Sequence, residues 1–265
     1  MSDLDRPAGH VAVSVRDVSV SYRLHGKRAR NADDRYFVAL RGIAFEAIEG
    51  ETIGVIGRNG SGKSSLLRAI AGLMPVSAGE VLATATPVLL GVGAALKGDL
   101  TGRQNIVLGG TALGLTRKQI NERLDEIIEF SGLGDSIDRM FRTYSSGMKA
   151  RLQFAVSTAV QPQILLVDEA LSVGDEDFKD RSNERIQDLV GNASTVFLVS
   201  HSLKTINERC DRVLWIDDGA QRMWGPSADV VRSYQDDIAD RRSRRRAVRA
   251  DVSEAVLEGR STTRS

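Results

Sequence analysis

The chain has 265 residues, with 36 Lys and Arg against 35 Asp and Glu, a formal net charge of +1 and 42% apolar residues. This length suffices for a sizeable buried core. The balanced 27% of charged residues excludes a disordered chain and a generally basic nucleic-acid binder.

In chain order, Met1 to His10 carries charged side chains ahead of any apolar run, which does not read as a secretory signal. Val11–Tyr22 alternates apolar and polar residues, the pattern of a half-buried strand. Arg23–Asp34 is polar and basic and reads as a loop, and Phe37–Ala47 reads as a second strand. Glu49-Gly50 is turn chemistry, followed by the short apolar run Thr52–Ile56. After Gly57–Ser64 a helical pattern passes through Leu66, Leu67, Ile70 and Leu73, and Pro75 and Gly79 are expected to end it. Strand-like pieces follow at Glu80–Leu82 and Val88–Leu90, and helical spacing at Thr116–Phe130 and Ser146–Val160. Ile164–Val167, Thr195–Val199 and Arg212–Ile216 are apolar strands. Strands alternating with helices point to an α/β chain with a parallel sheet covered on both faces.

No apolar run approaches the roughly 18 residues that span a bilayer, so the chain is not expected to cross a membrane itself. Cys210 is the single cysteine, which rules out an intramolecular disulfide and fits a reducing compartment. Six arginines lie between Arg241 and Arg249. Residues 236–265 therefore read as a tail outside the core, either partly helical or disordered and solvated, or in contact with anionic lipid headgroups, where each arginine would contribute roughly 1 kcal/mol. A nucleic-acid contact is the least favoured reading.

Gly57-Arg58-Asn59-Gly60-Ser61-Gly62-Lys63-Ser64 matches GxxxxGK[ST] between a predicted strand and a predicted helix. A triphosphate carries several negative charges and needs many donors at close range. Glycines at positions 57, 60 and 62 let backbone N–H groups wrap an anion. The positive end of the following helix adds to them. Lys63 supplies a point charge to the β- and γ-phosphates, and the Ser64 hydroxyl is placed to ligate Mg²⁺, with Ser65 beside it. The loop thus marks the chain as a P-loop nucleotide triphosphatase.

The strand Ile164–Val167 ends in Asp168-Glu169. Ligands in such sheets bind at the carboxyl ends of the strands, so this acidic pair faces the phosphate loop. Asp168 is expected to hold Mg²⁺ directly or through water, and Glu169 to polarise the attacking water.

Tyr144-Ser145-Ser146-Gly147-Met148 alone reads as a capped helix start, Ser being a good cap. Between the phosphate loop and the Asp-Glu strand, with His201 beyond, it completes an ordered set that resembles the ATP-binding-cassette (ABC) transporter ATPases. The resemblance covers Val11 to about Gln235. It implies a RecA-like parallel core, an N-terminal antiparallel β subdomain and an inserted α-helical subdomain near 95–155, within a nucleotide-binding domain spanning 11–235. It also implies a head-to-tail pair of chains. Ser145, Ser146 and Gly147 stand where the family's LSGGQ signature reaches the γ-phosphate held by the other copy. Asp175 matches the aspartate that crosses the interface, and His201 the histidine that contacts the γ-phosphate. Tyr22 matches the aromatic that stacks on adenine, with Phe37 as the alternative.

One departure stands out. The family's glutamine after the strand following the phosphate-loop helix is missing from Pro87–Gly93, and Gly91 or a neighbour takes its place. Leu100–Ile106, the signature and Ser172–Asp175 resemble the ATPases that export lipid-linked polysaccharides such as O-antigen and teichoic acid. That resemblance implies a separate integral-membrane permease as partner, a peripheral place on the cytoplasmic face of the membrane, ATP and Mg²⁺ as ligands, and no nucleic acid. A drug or peptide cargo is the alternative.

Overall fold

The structure, a computed structural model, describes residues 9–23, 36–90, 96–168, 176–200 and 202–243. Glu169, Asp175 and His201 lie outside the described residues, as do Gly91 and the tail from residue 244 onward.

Among the described residues nine strands form one mixed sheet: β1 (Val11–Arg23), β2 (Tyr36–Ile48), β3 (Thr52–Ile56), β4 (Ala78–Ala83), β5 (Val88–Leu89), β6 (Ile164–Asp168), β7 (Thr195–Val199), β8 (Arg212–Asp217) and β9 (Ala220–Pro226). Their order across the sheet is β4-β1-β2-β9-β8-β3-β7-β6-β5. From β8 to β5 the neighbours run parallel, whereas β4-β1-β2 and β8-β9 are antiparallel. This is the expected division into a parallel core and an N-terminal antiparallel part. The parallel strands are short apolar runs because helices cover both faces. In β3, Ile53, Val55 and Ile56 are buried, and in β6 so are Ile164, Leu165, Leu166 and Val167.

The helices are α1 (Lys63–Ile70), α2 (Gly102–Ala112), α3 (Arg117–Ser131), α4 (Ser146–Ser157), α5 (Glu176–Asn192) and α6 (Leu203–Arg209), followed by α7 over 227–243. Helix α1 stops one turn short of Leu73, because Gly72 at φ 67° turns the chain before Pro75 is reached. Helices α2 to α4 pack around their own core of Ile106, Ile120, Ile127, Ile137, Leu152 and Val156. Helices α2 and α3 both start at a Thr-x-x-Gln capping box, at Thr101–Gln104 and Thr116–Gln119, in which cap and third residue satisfy each other's backbone donors.

Helix α7 enters the stretch read as a tail, whose first residues, 236–243, are helical as the partly helical reading expects. It runs through position 236 without a break, Val230, Val231 and Tyr234 are buried, and Ile238 packs against the same cluster as Trp215 on β8. Residues 236–243 are thus part of the folded body, not an appendage. The cluster also holds Cys210, which is buried. Burial, aided by the charge of Asp211, pushes its thiol up to about 12. The reactive thiolate is therefore scarce in the folded chain. Alkylation by iodoacetamide at about pH 9, followed by mass spectrometry, is expected to leave Cys210 unmodified until denaturant is added, since an ordinary thiol is largely ionised at that pH.

Candidate functional site: a phosphate loop and its acidic partner

The phosphate loop leaves the carboxyl end of β3 and enters α1. Its backbone explains its glycines. Gly57 has φ 150°, and a Cβ there would lie 2.1 Å from the Ile216 carbonyl oxygen on β8 and 2.6 Å from Ser61 Oγ. Gly62 precedes α1 in the left-handed region at φ 109°, and a Cβ there would meet the Ala39 carbonyl oxygen at 2.6 Å. No side chain fits either position. Gly62 also offers no side-chain cap, and the first turn of α1 carries no acidic residue. The N–H groups at this helix end are therefore left to an anion. Within the loop, Ser61 N–H donates to the Arg58 carbonyl at 3.1 Å. Ser61 Oγ is buried and, among the described residues, has no hydrogen-bond partner. Asn59 and Gly60 form the exposed crest between them.

Lys63 is 8% exposed. Its ammonium donates to the carbonyls of Gly57 at 2.8 Å and Arg58 at 2.9 Å, which curls it back over the loop. An ammonium has three donors, so one remains for a phosphate oxygen. Burial lowers its pKa, and the Asp168 charge opposes that shift.

One residue further, Ser64 Oγ donates to Asp168 Oδ2 at 2.8 Å. The two come from distant segments, α1 and the end of β6, and they meet as the expected acidic partner of the loop requires. A hydroxyl and a carboxylate are hard oxygen donors suited to Mg²⁺, which commonly takes one or two carboxylate ligands and completes its shell with water and phosphate oxygens.

Tyr22, at the end of β1, is half-buried, and its hydroxyl shares a hydrogen bond of 3.0 Å with Ser65 Oγ and donates to Met74 Sδ at 3.6 Å. Its ring thus lies beside α1. Phe37 pairs with Tyr22 across the β1–β2 ladder and is 53% exposed. Both candidates for the adenine platform therefore lie at one place, next to the loop.

Ser145 caps α4, its hydroxyl accepting from Met148 N–H at 3.2 Å, and Ser146 and Gly147 form the first turn. Ser145 and Ser146 are exposed, whereas Tyr144 beneath them is buried and donates to the Ser136 carbonyl at 2.6 Å. This anchor presents the turn outward. Among the described residues no hydrogen bond joins it to the phosphate loop of the same chain. The structure thus groups Tyr22, Lys63, Ser64, Ser65 and Asp168, and holds Ser145–Gly147 apart.

Sequence reasoning missed the seat of the loop. Asp218 (φ 49°) and Gly219 (φ 78°) make the two-residue turn between β8 and β9, and Gly219 N–H donates to the Ser61 carbonyl at 3.1 Å. An Asp-Gly pair between two apolar runs is a strong hairpin signal, and it was available in the sequence.

A parallel sheet with a glycine-rich loop at the carboxyl end of one strand and a carboxylate at the end of another defines a nucleotide-binding P-loop protein. Comparisons narrow the class. A family model described as ABC transporter matches residues 40–172. The O-antigen export system ATP-binding protein RfbB of Myxococcus xanthus is 44% identical over 217 residues, which are 82% of this chain and 49% of that protein. The teichoic acids export ATP-binding protein TagH of Lactococcus lactis is 42% identical, over 80% of this chain and 45% of that protein. TagH of Listeria monocytogenes is 37% identical, over 86% and 70% respectively. The chain spans about half the length of the first two relatives. A solved ATP-binding subunit of an ABC transporter superposes with a TM-score of 0.63 at 21% identity, over 84% of this chain and 93% of that one. The dimeric cassette MJ0796 gives 0.59 at 19% identity, over 81% and 98%. The chain belongs to the ABC transporter family, as one of its ATP-binding cassettes.

Proposed function

We propose that this chain binds and hydrolyses ATP as the nucleotide-binding subunit of an ABC exporter for lipid-linked polysaccharide of the O-antigen or teichoic acid type. The observation that carries the ATPase reading is the Ser64–Asp168 contact beside a phosphate loop whose lysine keeps a free donor. The cargo reading is supported by the export proteins that match at 36 to 44% identity.

The loop from Gly57 to Ser65 holds the phosphates, with the backbone N–H groups of Arg58, Asn59, Gly60 and Gly62 offered to the anion, Ser61 N–H closing the loop onto Arg58 and Lys63 fixing the anion's outer end. Mg²⁺, held by Ser64 and Asp168, would offset charge on the phosphate oxygens. Tyr22 or Phe37 carries the adenine. Glu169 follows Asp168 directly and is assigned the attacking water, with His201 as its partner at the γ-phosphate. Ser145, Ser146 and Gly147 of a second copy complete the pocket, and Asp175 crosses the interface. In this reading residues 11–235 are the cassette, with a helical subdomain near 95–155.

The partner is an integral-membrane permease. No helix among the described residues is long and apolar enough to cross a membrane, and the chain is placed peripherally on the cytoplasmic face by that partner. ATP closes the pair of cassettes because it binds the closed state more tightly, and this differential affinity does work on the permease. The test is reconstitution in liposomes with a polysaccharide-export permease encoded beside glycosyltransferases. Phosphate release is expected to rise several-fold over the chain alone, with no rise for a drug or peptide permease. Stimulation by the latter alone would reassign the cargo.

A further inference from the structure

The carboxylate of Asp217 is 2% exposed, at the last position of β8. A carboxylate removed from water needs a countercharge. Its near partner is Arg241 on α7, whose Nη2 donates to Asp217 Oδ2 at 2.5 Å. The same guanidinium is braced from its own helix, Nε lying 2.6 Å from Asp237 Oδ2. Hydrogen bonds to Asp217 and then Asp237 raise the Arg241 pKa. Arg222 on β9 is a weaker partner, 3.6 Å from Asp217 Oδ2 and 55% exposed.

The residues on either side of Asp217 touch the phosphate loop. Ile216 presents the carbonyl that excludes any Cβ at Gly57. Gly219, just past the Asp218 corner, donates its N–H to the Ser61 carbonyl at 3.1 Å and accepts from Arg41 N–H at 2.8 Å. The β8–β9 turn thus lies against Gly57 and Ser61, and Asp217, between Ile216 and the turn, holds its buried carboxylate against Arg241. Helix α7 is pressed to the same strand through Trp215 and Tyr234, whose rings meet edge to face at 5.3 Å. The Tyr234 hydroxyl is within electrostatic reach of both Asp217 and Arg58 of the loop.

We infer that Arg241 is a positioning residue for the nucleotide site: by neutralising Asp217 it holds the β8–β9 turn in the register that shapes the phosphate loop, so that the first arginine of the basic stretch belongs to the ATP site's support. The inference rests on the ATP-binding reading above. A buried charge left with only the weaker, exposed Arg222 drives local rearrangement toward water, and here the segment that must rearrange touches Gly57 through Ile216 and Ser61 through Gly219.

The test is equilibrium titration of the full chain with trinitrophenyl-ATP, at a temperature where circular dichroism shows each variant folded, with phosphate release measured in parallel. Arg241→Ala is expected to raise Kd about threefold or more, with KM rising in step and kcat changing less. Arg241→Lys keeps the charge and is expected to stay within about twofold of the parent chain. Asp217→Asn combined with Arg241→Ala removes the stranded charge and is expected to recover most of the affinity. Arg232→Ala, an exposed arginine on the same helix, is expected to change nothing. If Arg241→Ala does not fold, Arg241→Gln takes its place with the same expected weakening. A lowered melting temperature with unchanged Kd would overturn the inference and leave a merely structural ion pair. So would a fall in kcat at constant KM. Failure of the parent chain to bind the probe at all would instead overturn the ATP-binding reading.

Discussion

Replacing Glu169 by Gln is expected to lower phosphate release by about 10²- to 10⁴-fold, the usual contribution of a positioned general base, while ATP still binds. The separation follows from where the two tasks lie. Binding draws on the backbone donors of the phosphate loop, on the Lys63 ammonium and on the Ser64–Asp168 pair, all of which the exchange leaves in the sequence. Gln matches Glu in volume but cannot take a proton from water. Asp168, one residue earlier, accepts from Ser64 at 2.8 Å and is assigned to Mg²⁺ rather than to the attacking water. With chemistry blocked, the ATP-loaded closed pair is expected to accumulate, visible as a doubled molar mass in light scattering with Mg²⁺ and ATP. A variant that turns over at the parent rate would remove Glu169 from its assigned role.

Replacing Gly57 by Ala is expected to impair the nucleotide site by a different route. A methyl group at this position meets the Ile216 backbone oxygen at 2.1 Å, and φ 150° is itself costly for an L-residue. Backbone, unlike the end of a flexible side chain, cannot give way cheaply. The loop must therefore shift off β8, carrying the Gly57 carbonyl that holds Lys63. A misplacement of about 1 Å at a reacting phosphate can cost roughly 10²-fold in rate. Phosphate release is expected to fall by at least that factor, with ATP affinity falling too, whereas Gly60→Ala is expected to weaken binding less, because a Cβ at Gly60 meets nothing within 4 Å and only its φ of 79° is unfavourable.

The chemistry-bearing part of the site was legible because it is contiguous or capped. Gly57 to Ser64 carries its own donors, strand and helix in one stretch. Asp168 ends an apolar run that has no place except inside a parallel sheet. Ser145 declares a helix start, although its outward presentation depends on Tyr144 and Ser136, which only packing brings together. Much of the rest was not legible, for physical reasons. Helix α2 contains Gly109 and Gly110 and has little amphipathic contrast, so its capping box is the one strong local signal. Helix α5 buries only Phe178, Ser182 and Leu189 and otherwise reads as polar. Strand β9 carries Arg222 and ends in Gly225-Pro226, and its place comes from pairing with β8. The arginine stretch hid α7, because charge in sequence looks like solvent exposure, and the partner of Arg241 lies on a different strand.

In the proposed mechanism one chain holds the nucleotide and a second chain completes the pocket with Ser145–Gly147. Turnover per chain, measured across a dilution series together with molar mass, tests it most directly. Specific activity is expected to fall as the pair dissociates and to vanish in the fully monomeric chain. Undiminished turnover in a preparation that is monomeric throughout would contradict it.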